Sequence, residues 1–135
     1  MSIQVCKGYI YEIIVKRYLE NHGLTFMYHR YKSKYGEIDL VMNDQHTLVF
    51  IEVKGRKKHH LADYGYESIN TNKQQKICLT ALKYIKKHHL TNRFTQYRFD
   101  VVYISSPQHI EWIADAFDCP IETIGLDEES LIVYD

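Results

Sequence analysis

No stretch of this 135-residue chain stays apolar for the ~18 residues that a membrane-crossing helix needs, so the sequence predicts no spanning segment and no membrane partner. Met1 to Lys7 lacks the basic segment followed by an apolar core that marks a secretory signal. Cysteine is sparse. Cys6, Cys78 and Cys119 are odd in number and widely spaced, which predicts reduced thiols and a cytoplasmic location. The histidine pairs His59-His60 and His88-His89 are adjacent rather than at the i, i+4 spacing of a helical zinc site, and no cysteine stands near them at ligand spacing, which excludes structural zinc. A phosphate-cradling glycine-rich loop, a dinucleotide fingerprint and a nucleophile elbow are all missing, which removes nucleotide cofactors, ATP-driven chemistry and acyl transfer.

What is present has the length and composition of one globular domain with a real core. Net charge is zero, but its distribution is uneven. All 17 Lys and Arg lie between Lys7 and Arg98, whereas residues 108–135 hold eight acids and no Lys or Arg. The first 107 residues therefore carry +8 and the rest −8, a basic body with an acidic end of the kind used in interactions. We accordingly divide the chain into a domain over residues 1–117 and an acidic C-terminal extension over 118–135.

Hydrophobic periodicity sets the order of elements. Ile10, Ile13, Ile14, Tyr18 and Leu19 mark an amphipathic helix from Ile3, stopped by Asn21-His22-Gly23. Strands are predicted at Leu24 to Tyr31, Gly36 to Met42 and Thr47 to Lys54. A helix capped by Thr71 or Asn72 then runs to about Leu90, with Ile77, Leu79, Leu82 and Ile85 inward. Tyr97 to Ser105 and Ile110 to Phe117 complete the strands, with Pro107 between them and Leu131 to Tyr134 as a short edge strand or binding tail. The order α-β-β-β-α-β-β predicts a three-layer α/β fold, a mixed sheet flanked by helices.

The chemistry concentrates in two strands, Gly36-Glu37-Ile38-Asp39-Leu40 and Phe50-Ile51-Glu52-Val53-Lys54, joined through Asn43-Asp44-Gln45-His46 as a hairpin. Alternation along a strand puts Glu52 and Lys54 on one face, with Ile51 and Val53 on the other. Closure about Asp44 and Gln45 places Glu37 opposite Glu52 and Asp39 diagonal to it, roughly 7–8 Å away at Cα. Two carboxylates so placed suit a hard cation such as Mg²⁺ or Mn²⁺, which takes one or two carboxylates and fills its remaining positions with water and phosphate oxygens. Lys54 stands beside them, placed to compensate charge on a phosphorus under attack or to orient the attacking water. A surface Glu-x-Lys is ordinarily a solvated pair. Here it ends a near-continuous apolar run, Leu48 to Val53, where charge is costly unless paired or metal-bound.

These motifs, G-E-I-D-L and, with twelve residues intervening after the Asp, E-V-K-x-R, resemble the PD-(D/E)XK nuclease superfamily and, within it, the YraN-like family. Gly8, Glu12, Tyr18 and Leu19 resemble that family's first helix, Lys73 through Tyr84 its second, Arg98-Phe99-Asp100-Val101-Val102 the following strand, and Ile110 through Phe117 the closing one. Tyr11 and Val15 depart from the small residue and the Ala usual at those places. The resemblance implies a restriction-endonuclease-like fold and metal-dependent hydrolysis of DNA phosphodiesters, possible selectivity for branched DNA, and a homodimer by analogy with junction-cleaving relatives. It implies Asp39, Glu52 and Lys54 as catalytic positions, Asp39 and Glu52 as metal ligands, and Glu12 as an accessory carboxylate, to which the hairpin register adds Glu37.

Other residues are weighed against plainer roles. Glu12 also forms an i, i+4 charge ladder with Lys16 and Glu20, ordinarily a solvated face. Arg56, Lys57 and Lys58 run directly off the catalytic strand, and Lys73, Gln75 and Lys76 open the second helix; both groups are candidate DNA-phosphate contacts, and alone each reads as solvated surface. Tyr28, Tyr31, Tyr35, Tyr64 and Tyr66 offer stacking surfaces for unpaired bases or ordinary strand packing. Asp100 reads as a structural partner of Arg98. Three functions follow: a metal-dependent deoxyribonuclease, a DNA-binding module of the same fold without catalysis, and an interaction subunit acting through its acidic end. Two acids aimed at the phosphate path favour the first, because they repel DNA unless a cation lies between.

Overall fold

The structure, a computed structural model, describes residues 3–56 and 69–119, with residues 3–7 as backbone alone. Helix α1 spans Ile3–Asn21 and is followed by β1 (Thr25–Ser33), β2 (Gly36–Asp44), β3 (Thr47–Gly55), α2 (Thr71–Lys87), β4 (Gln96–Ser106) and β5 (His109–Phe117). Gly23 takes φ +96° just past α1, where Leu24 N–H donates to Leu19 O and Gly23 N–H to Glu20 O, the bonding pattern that ends helices at a left-handed residue. Asn70, one residue before the expected cap, closes the start of α2 by accepting from Lys73 N–H at 2.8 Å.

The five strands lie in chain order, antiparallel except for β3 and β4, which are parallel because α2 carries the chain across the sheet between them. Val15 and Leu19 of α1 bury against Leu40, Met42, Val49 and Ile51 on one face. Ile77, Cys78 and Tyr84 of α2 bury against Val41, Phe50 and Phe99 on the other. β3 is covered on both faces, which accounts for its continuous apolar run. The fold is thus α/β, with a mixed sheet between two helices in the expected order.

Two expectations need correction. The hairpin pairs Asp44 with Thr47 and Leu40 with Ile51, so the turn residues are Gln45 and His46, with Gln45 at φ +60°. Carried one step further, this register sets Asp39 beside Glu52 and no longer diagonal to it, and it moves Glu37 away from Glu52. The shift is two residues, and the strand period of two therefore leaves the facing of Glu52 and Lys54 unchanged. Secondly, Cys78 on α2 and Cys119 beyond β5 are joined, with their Cα atoms 5.5 Å apart, where separate reduced thiols were expected. The end of β1 also breaks strict alternation: His29 pairs with Leu40, whose side chain packs on the α1 side, yet Tyr31, two residues on, is buried on the α2 side. Arg30 between them has φ +57°. Leu131 to Tyr134 and nearly all of the acidic extension lie outside the described residues.

Candidate active site

The β2–β3 ladder ends at Leu40 and Ile51, and the site occupies the opening beyond it. There Asp39 Oδ2 accepts from Val53 N–H at 2.7 Å, so a side chain takes the place of the next backbone rung. Asp39 is 8% exposed. Its burial, first, and the negative charges of Glu52 and Glu12 raise its pKa to about 8, against the opposing pull of the Val53 N–H. At neutral pH, without a metal, the pair therefore retains a proton.

Each other member arrives on a different element. The Glu52 side chain is largely buried and faces α2, whose Lys73 ammonium stands 3.6 Å from Glu52 Oε1. Lys54 lies two residues along the same strand and hence on the same face; it is half-buried and makes no ion pair among the described residues. Glu12 reaches the site's flank from α1 through the other face of the sheet, near enough for its charge to act on Asp39. It is buried rather than solvated. Its Oε1 accepts from Arg30 Nε at 2.8 Å and stands 2.6 Å from His29 Nε2, while Lys16 pairs with Glu20 instead.

The departures at Tyr11 and Val15 do not displace Glu12. Val15 is fully buried in the core, and Tyr11 lies flat over Gly55, where a Cβ would come within 3.2 Å of its ring, and donates to Ser105 O at 3.1 Å. Glycine is required at 55 by this close approach.

The remaining candidates divide. Glu37 is not brought to the acidic pair; it is exposed and faces Lys32 at 3.8 Å. With Asn70, Asn72, Lys73 and Lys76 it lines an open cavity of about 350 Å³ at the start of α2. Gln75 is half-buried on the first turns of α2. Arg56 packs its guanidinium over the Tyr103 ring at 4.9 Å, while Lys57 and Lys58 lie outside the described residues. Of the stacking candidates, Tyr31 is buried among Tyr28, Tyr84 and His88, and Tyr64 and Tyr66 lie outside the described residues. Asp100 is fully satisfied by Arg98, Trp112 Nε1 and Asp115 N–H and is structural, as its sequence context indicated. Sequence reasoning missed His29 and Arg30, because the left-handed residue that aims both at Glu12 leaves no local signal.

Among the described residues, no group of three or more His, Cys, Asp or Glu converges as a ready metal cage. The donor set is the Asp39–Glu52 pair, with Glu12 turned to its own cations. Two adjoining carboxyls would suit a hard divalent ion, which needs one or two carboxylates and would displace the Asp39 proton on binding.

Residues 11–104 match the family described as uncharacterised protein family UPF0102. The chain is 41% identical over 110 residues to a UPF0102 protein of Photobacterium profundum, covering 81% of this chain and 87% of that protein. It is 45% identical over 113 residues to one of Aliivibrio salmonicida, covering 82% and 89%. A third, from Vibrio parahaemolyticus, is 38% identical over 110 residues. The matched span contains the whole hairpin, Glu12 and α2.

Proposed function

The chain belongs to the UPF0102 family, and from the chemistry of its site we propose that it is a metal-dependent DNA phosphodiester hydrolase of the PD-(D/E)XK type. The observation that carries this reading is the buried Asp39 carboxyl set beside Glu52 where the β2–β3 ladder stops, with Lys54 on the same strand face as Glu52. A fold gains nothing in stability from two carboxyls in contact at the end of a core strand, and the arrangement makes sense as a cation site. Asp39 and Glu52 would hold Mg²⁺ or Mn²⁺, which would supply positive charge against the phosphate oxygens and lower the pKa of a bound water.

The protein's own groups do the rest. Val53 N–H fixes the Asp39 carboxyl through Oδ2, so that Oδ1 would be the oxygen offered to a cation. Lys54, not tied up in an ion pair among the described residues, presents its ammonium to the phosphate or holds the water in line. Lys73 guards Glu52 at 3.6 Å before substrate arrives, and with Lys76 and the cavity at the start of α2 it offers a path for the phosphate backbone.

The Lys73–Glu52 contact also supports a second reading. An ammonium already neutralising one acid is what a DNA-binding module without catalysis requires, and that module predicts salt-sensitive binding with no cut product. Cleavage of plasmid, duplex and branched DNA over a range of Mg²⁺ and Mn²⁺ separates the two. The nuclease reading expects products from the wild type and none from Asp39→Asn purified in parallel; equal products from both, or none from either, would overturn it.

A further inference from the structure

Arg30 is placed in a way that holding Glu12 alone does not require. The β1–β2 register pairs His29 with Leu40 and Tyr31 with Ile38, so Arg30 stands across from Asp39, which in turn stands beside Glu52. The backbones of Arg30, Asp39 and Glu52 therefore form one row across three strands, with the Arg30 side chain toward α1, that of Glu52 toward α2, and Arg30 near enough for the Asp39 charge to act on it. In a regular strand, neighbouring side chains leave opposite faces. The left-handed backbone of Arg30, at φ +57°, breaks that rule and turns both His29 and Arg30 to the α1 side, where each meets Glu12 Oε1. Such a conformation is unfavourable for a residue with a Cβ and persists where the surroundings enforce it, most often at functional positions.

The guanidinium itself is aimed but not used up. Nε and Nη2 bond Glu12, at 2.8 and 3.4 Å, and the Tyr9 ring lies under the group at 5.6 Å from its centroid. No hydrogen bond engages Nη1 among the described residues, and the side chain is 35% exposed. Planar and permanently charged, an arginine oriented by a carboxylate is well suited to grip phosphate oxygens. Lys73 flanks the acidic row from α2, and Arg30 flanks it from β1.

Resting on the nuclease reading, we propose that Arg30 is a substrate-contacting residue whose guanidinium, aimed by Glu12 and His29, engages a phosphate of the DNA strand lying across the Asp39–Glu52 row. Glu12 and His29 are then positioning residues that act through it. The simpler alternative is that Arg30 is only a counter-ion for a buried Glu12.

The test is DNA binding by the full-length chain in an Asp39→Asn background with Mg²⁺, read by fluorescence anisotropy of a labelled hairpin carrying a single-stranded tail. Adding Arg30→Asn, which tolerates a positive φ, is expected to weaken binding about tenfold whatever the sequence, and to lower the slope of log affinity against log salt by about one. Arg30→Lys should keep the slope and lose part of the affinity. A measurement that leaves Arg30 in place covers the case of a misfolded variant: modification by a dicarbonyl reagent, followed by mass spectrometry, should be suppressed at Arg30 by bound DNA. Unchanged affinity and slope in a folded Arg30→Asn protein, or full modification of Arg30 while DNA is bound, overturns the inference and leaves the nuclease reading standing. Absence of any DNA binding by the Asp39→Asn protein overturns both.

Discussion

Asp39 Oδ2 accepts from Val53 N–H at 2.7 Å where the β2–β3 ladder stops, in place of the missing rung, with Glu52 beside it in the register. Burial and the charge of Glu52 together raise the Asp39 pKa to about 8. A cation held by Asp39 and Glu52, as proposed, would displace the Asp39 proton.

The first prediction concerns stability without metal. The folded-state pKa of Asp39 lies above its ordinary value of 3.8, so between there and about 8 the folded state binds more protons than the unfolded state. Stability from this site is fully present below the lower value and is lost as pH rises through the window, at up to about 1.4 kcal/mol per unit. Urea unfolding in EDTA should show the wild type losing more stability between about pH 5 and pH 8 than Asp39→Asn does. Parallel pH profiles for the two proteins would contradict the raised Asp39 pKa.

Lys54 supports a second prediction. It makes no ion pair among the described residues, so Lys54→Ala should change stability by no more than about 0.5 kcal/mol. Cleavage, by contrast, should fall on the order of a hundredfold to a thousandfold, as when a preorganised charge is removed from a transition state. A drop in activity explained by a matching loss of folded protein would place Lys54 in the structure instead of the chemistry.

A third prediction tests the packing that holds the end of β3. A Cβ at Gly55 comes within 3.2 Å of the Tyr11 ring, so Gly55→Ala forces the ring aside and should cost on the order of 1 kcal/mol. Tyr11→Ala should relieve that penalty, giving a nonadditive double-mutant cycle in thermal or urea unfolding. Additive costs would show that the two residues do not press on each other.

The cysteines provide a fourth. The Cys78–Cys119 link closes a separation of 41 residues and ties the end of β5 to α2; reducing it should lower stability by about 4 kcal/mol in the chain-entropy account. Peptide mapping without reductant should recover the linked pair. Two free thiols at these positions would return the chain to the reduced state that its cysteine spacing suggested.

Much of the fold was legible because apolar periodicity was strong where burial is two-sided: β3 and β4 read directly as core strands, and α1 and α2 as amphipathic helices. The common facing of Glu52 and Lys54 followed from strand alternation alone. Register was not legible, because Asn43 and Asp44, the residues most at home in a turn, stay in β2 while Gln45 adopts the left-handed conformation. Glu12 looked like part of a solvated ladder because Lys16 and Glu20 were its sequence neighbours; its actual partners sit on β1 and depend on the backbone reversal at Arg30. Lys83 reads as surface in the sequence, yet it is 1% exposed, with its ammonium 5.7 Å from the centroid of the Tyr35 ring. The link between Cys78 and Cys119 depends on how α2 and β5 are folded together, which cysteine spacing does not encode.

The most direct test of the central claim is calorimetric titration of Mn²⁺ into the metal-free protein near neutral pH, repeated in two buffers of different ionisation enthalpy so that proton release is counted with binding. Binding to the wild type should release close to one proton, tighten as pH rises towards about 8, and disappear in Asp39→Asn. Binding that releases no proton, or that survives unchanged in Asp39→Asn, would mean that the Asp39–Glu52 pair is not the cation site.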